Sequence, residues 1–178
     1  MNPTLRSKLK TTGATGASAL AIALVLGAWF EGTGPTRKMP DGSTQYQAYL
    51  DPVGIWTVCH GVTGPGVVAR QWYTQQQCDA LESAAYKKAE EGAKRLFIHF
   101  NTYNRWMQAA LIDMVYNLGE QKLTGKTIQR KLNAGDVVGG CDEMDKWVNG
   151  RVDGRLVPMG GLVDRRTTTE ELCLHWKD

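Results

Sequence analysis

The 178-residue chain lacks the marks of a metal protein and of a nucleic-acid binder. Its four cysteines, Cys59, Cys78, Cys141 and Cys173, form no C-x-x-C pair. None has a histidine at zinc-finger spacing, which argues against a metal site. No stretch clusters five or more Lys and Arg, and the net charge is only +3, so no nucleic-acid partner is indicated. That small positive balance suits a polyanionic target such as a cell wall. There is no internal repeat and no low-complexity tract. Hydrophobic residues make up 42% and charged residues 22%, the balance of a globular protein rather than a disordered one.

The most telling absence is at the start. Residues 1–10 carry Arg6, Lys8 and Lys10 and no acid, and from Thr11 to Phe30 there is no charge at all. Twenty helical residues span about 30 Å, just enough for the hydrocarbon core of a bilayer. Basic residues before the run keep the N-terminus cytoplasmic and send the rest of the chain across. Only Ala17–Phe30 is strongly apolar; the remainder is Gly, Ala, Ser and Thr. No small-x-small cleavage site precedes Trp29, Phe30 and Glu31. Residues 1–30 therefore read as a weakly held, uncut, releasable anchor. A cleaved signal peptide and a permanent anchor are the alternatives. Residues 31–178 are long enough for one domain with a single core. An even cysteine count beside an export signal predicts two disulfides, with three pairings open.

Residues 31–45 are rich in Gly, Pro and polar side chains, with a Pro40-Asp41-Gly42 turn signal, and predict a loop or short hairpin. Residues 46–63 suit two or three short strands. Thr74 and Gln77 form a capping box that opens a helix along Ala80, Leu81, Ala84, Ala85, Lys88 and Ala89. The strongest helix is Asn104–Leu118, with Trp106, Ala109, Ala110, Met114 and Leu118 on one face and Gly119 at its end. Shorter helices are predicted near 126–134, 136–148 and 161–176. The fold class is α+β, mostly α: a small β region followed by a helical lobe.

Hydrolysis of a glycosidic bond needs two carboxyl groups. In the first half of the chain the acids are Glu31, Asp41, Asp51, Asp79, Glu82, Glu90 and Glu91. The last four fall on the helix after Thr74 and read as a solvated face. Asp41 reads as a turn residue. Glu31 follows an apolar run, where desolvation favours the protonated form of a proton donor. Asp51 lies six residues before Thr57, and in a bent hairpin both side chains face one cleft, the hydroxyl holding a water beside the carboxylate.

The segments Glu31-Gly32 and Tyr49-Leu50-Asp51-Pro52-Val53-Gly54-Ile55-Trp56-Thr57-Val58-Cys59-His60-Gly61 resemble the active-site signature of phage-type lysozymes, glycoside hydrolase family 24. AALIDMVYNLGE, residues 109–120, resembles that family's long core helix. GLVDRRTTTEELCLHW, residues 161–176, resembles its GL-x-x-RR helix. The resemblance implies a lysozyme-like fold and cleavage of the β-1,4 bond between N-acetylmuramic acid and N-acetylglucosamine in peptidoglycan, with no metal or cofactor. It implies Glu31 as general acid, with Asp51 and Thr57 positioning water for inversion. Inversion requires carboxyls roughly 6.5–9.5 Å apart. His60 and Asn117 are further candidates for substrate contact; a packing or helix-end role is the alternative for each.

The leader and cysteines resemble the signal-anchor-release endolysins. The likeness implies export by the host secretion machinery, tethering in the inner membrane through residues 11–30, and release to the periplasm as a monomer. The anchor has no cysteine, which matches the subgroup with Cys59–Cys78 and Cys141–Cys173 disulfides. One departure stands out: nineteen residues separate Glu31 from Asp51, where the family has eight. Asp51 is preferred to Asp41 because only Asp51 has a Thr six residues later. Arg165 and Arg166 read as structural, and Trp56, Trp72, Trp106 and Trp147 as core. His99 and His175, like His60, read as packing or surface rather than ligands. A lytic transglycosylase of this fold and an inactive, membrane-tethered peptidoglycan-binding protein are the competing readings.

Overall fold

The computed structural model describes residues 1–51, 54–152 and 155–177. Pro52 and Val53 of the signature segment, with Asp153, Gly154 and Asp178, lie outside the described residues.

Residues 11–30 do not form one span. Asn2 caps a first helix, α1 (Pro3–Ala14), accepting from the Thr4 and Leu5 N–H groups. The chain breaks at Thr15 and Gly16, where φ is 75°. Ser18 then caps α2 (Ala19–Phe30), accepting from the Ala21 N–H. Twelve residues reach about 18 Å, well short of a bilayer core. Among the described residues no helix is long and apolar enough to cross a membrane. The physical reason is a helix stop and a new cap in the middle of the apolar run, which let both pieces fold back on the domain. α1 buries Leu5 and Leu9; α2 buries Ile22, Ala23, Leu26 and Gly27 in the main core. Each of the larger side chains contributes about 1.5–3 kcal/mol when fully buried. Two glycines permit the close approach. A Cβ at Gly13 would overlap the Trp106 ring, and one at Gly27 the Tyr86 hydroxyl.

The β region holds two three-stranded antiparallel sheets. In the first, β1 (Thr36–Lys38) pairs with β2 (Thr44–Gln47) across the turn predicted at Pro40-Asp41-Gly42. Asp41 accepts there from the Ser43 N–H at 2.8 Å. The residues added between Glu31 and Asp51 are thus a complete hairpin. The second sheet comprises β3 (Tyr49–Leu50), β4 (Trp56–Val58) and β5 (Val62–Thr63). Its register sets Tyr49 opposite Thr57, and Thr57 opposite Thr63. β6 (Trp72–Thr74) returns to pair with β2 and leads into α3 (Gln75–Leu96) through the Thr74–Gln77 capping box.

The helical lobe is built around α4 (Arg105–Leu118), capped by Asn104 and ended at Gly119. It packs against α2, α3 and α8 (Gly160–His175), and Ala109 to Val115 are all buried. Between α4 and α8 lie α5 (Glu120–Leu123), α6 (Thr127–Asn133) and α7 (Val137–Asp142). The helix predicted over 136–148 is shorter: α7 passes into a 3₁₀ turn, Glu143–Lys146. The Gly139-Gly140 pair, with its low helix propensity, accounts for the short α segment. A hairpin the sequence reading did not include, β7 (Asn149–Val152) with β8 (Arg155–Pro158), precedes α8. The Cys59–Cys78 disulfide ties the β4–β5 turn to α3, and Cys141–Cys173 ties α7 to α8. The architecture is α+β, mostly helical, with small sheets.

Candidate active site

Glu31 is the first residue beyond α2, its N–H donating to Gly27 O at 2.9 Å. Helix α2 lies flat on α4, so its end delivers Glu31 to the junction of the two lobes. There the carboxylate pairs with Nη1 of Arg165 on α8. The rest of that guanidinium forks onto Asp113 of α4, with Nε–Oδ2 at 2.9 Å and Nη2–Oδ1 at 2.8 Å. Asp113 is fully buried and Arg165 almost so. Burial pushes the Arg165 guanidinium toward its neutral form, but Asp113 and Glu31 outweigh this and raise its pKa. One cation thus joins three helices through two carboxylates.

On the β side, Glu31 rests against the β4–β5 turn. A Cβ added at Gly61 would stand 3.0 Å from Glu31 Cδ. Gly34, at φ 65°, lies over the Tyr49 ring so closely that a Cβ would overlap it. Residues 31–34 therefore cross the β3 strand and bring Glu31 toward the Asp51 hairpin. The Tyr49 phenol registers the result. Burial raises its pKa, and the charges of Glu31 and then Asp51 raise it further.

Asp51 closes the β3–β4 turn. Its N–H donates to Ile55 O at 3.0 Å, and its Oδ1 accepts from the Ile55 N–H at 2.8 Å. Thr57 is buried, and its hydroxyl donates to Ile55 O at 3.1 Å. Asp51 and Thr57 thus share the β3–β4 hairpin, and Glu31 reaches the adjoining β4–β5 turn at Gly61 from the end of α2.

His60 is engaged by the protein. Its ring Nδ1 lies 2.8 Å from Glu82 Oε1, and its N–H donates to the same oxygen at 3.1 Å. Glu82 corrects the sequence reading, which set it on a solvated face. It is buried, because the Cys59–Cys78 link draws the turn onto that part of α3. Tyr116 of α4 donates its hydroxyl to His60 O at 2.8 Å and stacks on Tyr86 with ring centroids 4.0 Å apart. The Asn117 carbonyl oxygen accepts from the fully buried Arg166. Cys59, Cys78 and Glu82 come close together, but both sulfurs are in the disulfide and supply no thiolate.

A cavity of about 560 Å³ opens beside Gly61, walled by Thr63, Lys88, Tyr116, Glu120 and Lys122. Tyr49, Glu82, Asp113 and Tyr116 are the site residues that sequence reasoning missed. Asp113 had a signal, being the one acid within the apolar stretch AALIDMVYNL. Tyr49 and Tyr116 lay within the signature segment and the core-helix segment without a role of their own, and Glu82 had no signal, since its surroundings come from distant segments.

Glu31 at the end of α2 thus meets the β4–β5 turn, Asp51 lies in the β3–β4 turn, and a buried Arg165–Asp113 pair stands behind Glu31. The phage lysozyme family model matches residues 41–169, which include Asp51, Thr57, Asp113 and Arg165. The chain belongs to the phage lysozyme family. Membership makes it a glycoside hydrolase of the lysozyme type, an endolysin with peptidoglycan as its substrate class. The family match begins beyond Glu31, but similarity to whole relatives extends further. The SAR-endolysin of Enterobacteria phage P21 is 34% identical over 175 residues, covering 98% of both chains. The SAR-endolysin of Enterobacteria phage PA-2 is 33% identical over the same shares. Among solved structures, the active form of the P1 phage endolysin Lyz superposes with a TM-score of 0.70. It is 22% identical, covering 96% of this chain and 93% of that one, and supports the fold.

Proposed function

We propose that this phage lysozyme cleaves the β-1,4 bond between N-acetylmuramic acid and N-acetylglucosamine, with Glu31 as proton donor and Asp51 and Thr57 holding the attacking water. The observation that carries the reading is the seat of Glu31, pinned by Arg165 and resting on Gly61 in the turn that adjoins the Asp51–Thr57 hairpin. The ion pair is the resting arrangement. The reaction needs a protonated Glu31, and a bound glycan that displaces water from the carboxyl favours that form. Water on the opposite face of the sugar, activated by Asp51, gives inversion.

The same reading extends to control. The sequence from Thr11 to Phe30 is charge-free and preceded by three cations, so it is suited to insertion as one span with a cytoplasmic N-terminus. In a membrane, Glu31 is then held at the headgroups, away from Gly61 and Arg165. After release to the periplasm, the run breaks at Thr15–Ser18, packs as α1 and α2, and carries Glu31 into its seat. The SAR-endolysin relatives are consistent with this cycle. The direct test is Glu31→Gln, assayed for lysis of purified sacculi alongside circular dichroism. Loss of at least about 10²-fold in rate with an unchanged fold supports the assignment. Retained lysis overturns it.

A further inference from the structure

The β4–β5 turn is clamped to α3 by two successive rungs. Cys59 is bonded to Cys78, and His60 to Glu82, one helical turn further along. Glu82 Oε1 receives both the His60 N–H and its Nδ1. A carboxylate only accepts, so the contact with Glu82 Oε1 is made by a protonated Nδ1, and Nε2 is the nitrogen left to titrate. From the other side, Tyr116 holds the His60 carbonyl. With ring, N–H and C=O all engaged, the residue that follows has little freedom. That residue is Gly61, at φ 77°, against which the Glu31 carboxyl packs.

We infer that His60 is a positioning residue for Glu31: clamped to Glu82, it sets the height of the Gly61 turn on which the proton donor rests. The inference depends on Glu31 being that donor. His60 acts through the turn; its ring is bonded to Glu82, and Glu31 reaches it only through its charge. The groups facing the imidazole are Glu82 and Asp79 from α3, Tyr116 from α4 and Glu31 from the end of α2. The Glu82 hydrogen bond raises the His60 pKa above its usual 6.5, and the charges of Glu82, Glu31 and Asp79 act in the same direction against burial. The clamp is therefore an ion pair on the acid side and a neutral hydrogen bond on the alkaline side.

The full chain is assayed on sacculi as His60→Ala and His60→Gln. His60→Ala is expected to lower kcat about tenfold with KM within about twofold, because a displaced proton donor costs rate rather than binding. His60→Gln retains an N–H donor and is expected to recover most of the rate. Wild-type kcat in His60→Ala, or no recovery of rate in His60→Gln, overturns the inference. A second measurement does not need lysis: the NMR titration of His60 in wild type and Glu31→Gln. Its midpoint is expected to drop when the Glu31 charge is removed, and an unmoved midpoint overturns the seating of Glu31 beside the clamped turn. Normal lysis by Glu31→Gln would instead overturn the donor assignment, so the two failures are distinguishable.

Discussion

Arg165 is the residue on which the site's electrostatics turn. It is almost wholly buried between a fully buried Asp113 and the partly exposed Glu31. Removing it takes away both hydrogen bonds to Asp113 and leaves that buried charge only Arg166, 3.9 Å away, so Arg165→Ala should destabilise the fold by about 3–5 kcal/mol. Urea unfolding checks this. Gly61→Ala is a finer probe. The added methyl stands 3.0 Å from Glu31 Cδ at a φ of 77°, so lysis should fall while most of the stability remains. His60 links the site to pH. Its folded pKa is raised, so its contribution to stability is full below about 6.5, the unfolded value. It is lost as pH rises through the folded value. The wild-type melting temperature should therefore drop over that window relative to His60→Gln, measured by scanning calorimetry.

At the scale of elements, α2 decides where Glu31 goes. It has few polar anchors of its own: Ser18 caps its start, and its lower face is Ile22, Ala23, Leu26 and Gly27. Ile22→Ala should cost about 2–5 kcal/mol as a cavity in the main core. Gly27→Val should do more harm to activity than to folding of the remaining lobe. Its side chain meets the Tyr86 hydroxyl, lifting α2 and with it the residue four positions on. Sacculus lysis compared with far-ultraviolet dichroism separates the two effects. The β1–β2 hairpin shows the opposite economy of constraint. It takes up the added length between Glu31 and Asp51 as a paired surface element, and Gly34 over Tyr49 keeps the crossing point fixed.

For the molecule as a whole, the proposed cycle requires one stretch of sequence to suit two environments. Replacing residues 11–30 with a longer poly-Leu span should yield a folded, membrane-bound and inactive protein, read by fractionation and lysis assay. Full activity in that tethered form would remove the proposed link between release and catalysis. The folded state described has α1 latched to the C-terminal segment through Arg6, Glu171 and Trp176. Much of this was legible beforehand. The capping box at Thr74, the Asn104–Leu118 helix and the α8 region follow from local periodicity and caps, which act within a few residues. The GL-x-x-RR helix was legible as a motif, and the short strands that carry Tyr49 and Thr57 followed from their β-branched and aromatic residues. What local rules could not reach was the break at Thr15–Ser18, the burial of Glu82 and the sharing of Arg165 between Asp113 and Glu31. A run of twenty uncharged residues is compatible with a membrane or with a core, and side-chain character alone does not choose. The choice is made by Gly13 against Trp106 and Gly27 against Tyr86, contacts between segments far apart in the chain. The sequence by itself determined which chemical groups and which helices are present. Only the tertiary structure decided which charges become partners, because burial and pairing depend on what the rest of the chain places beside them.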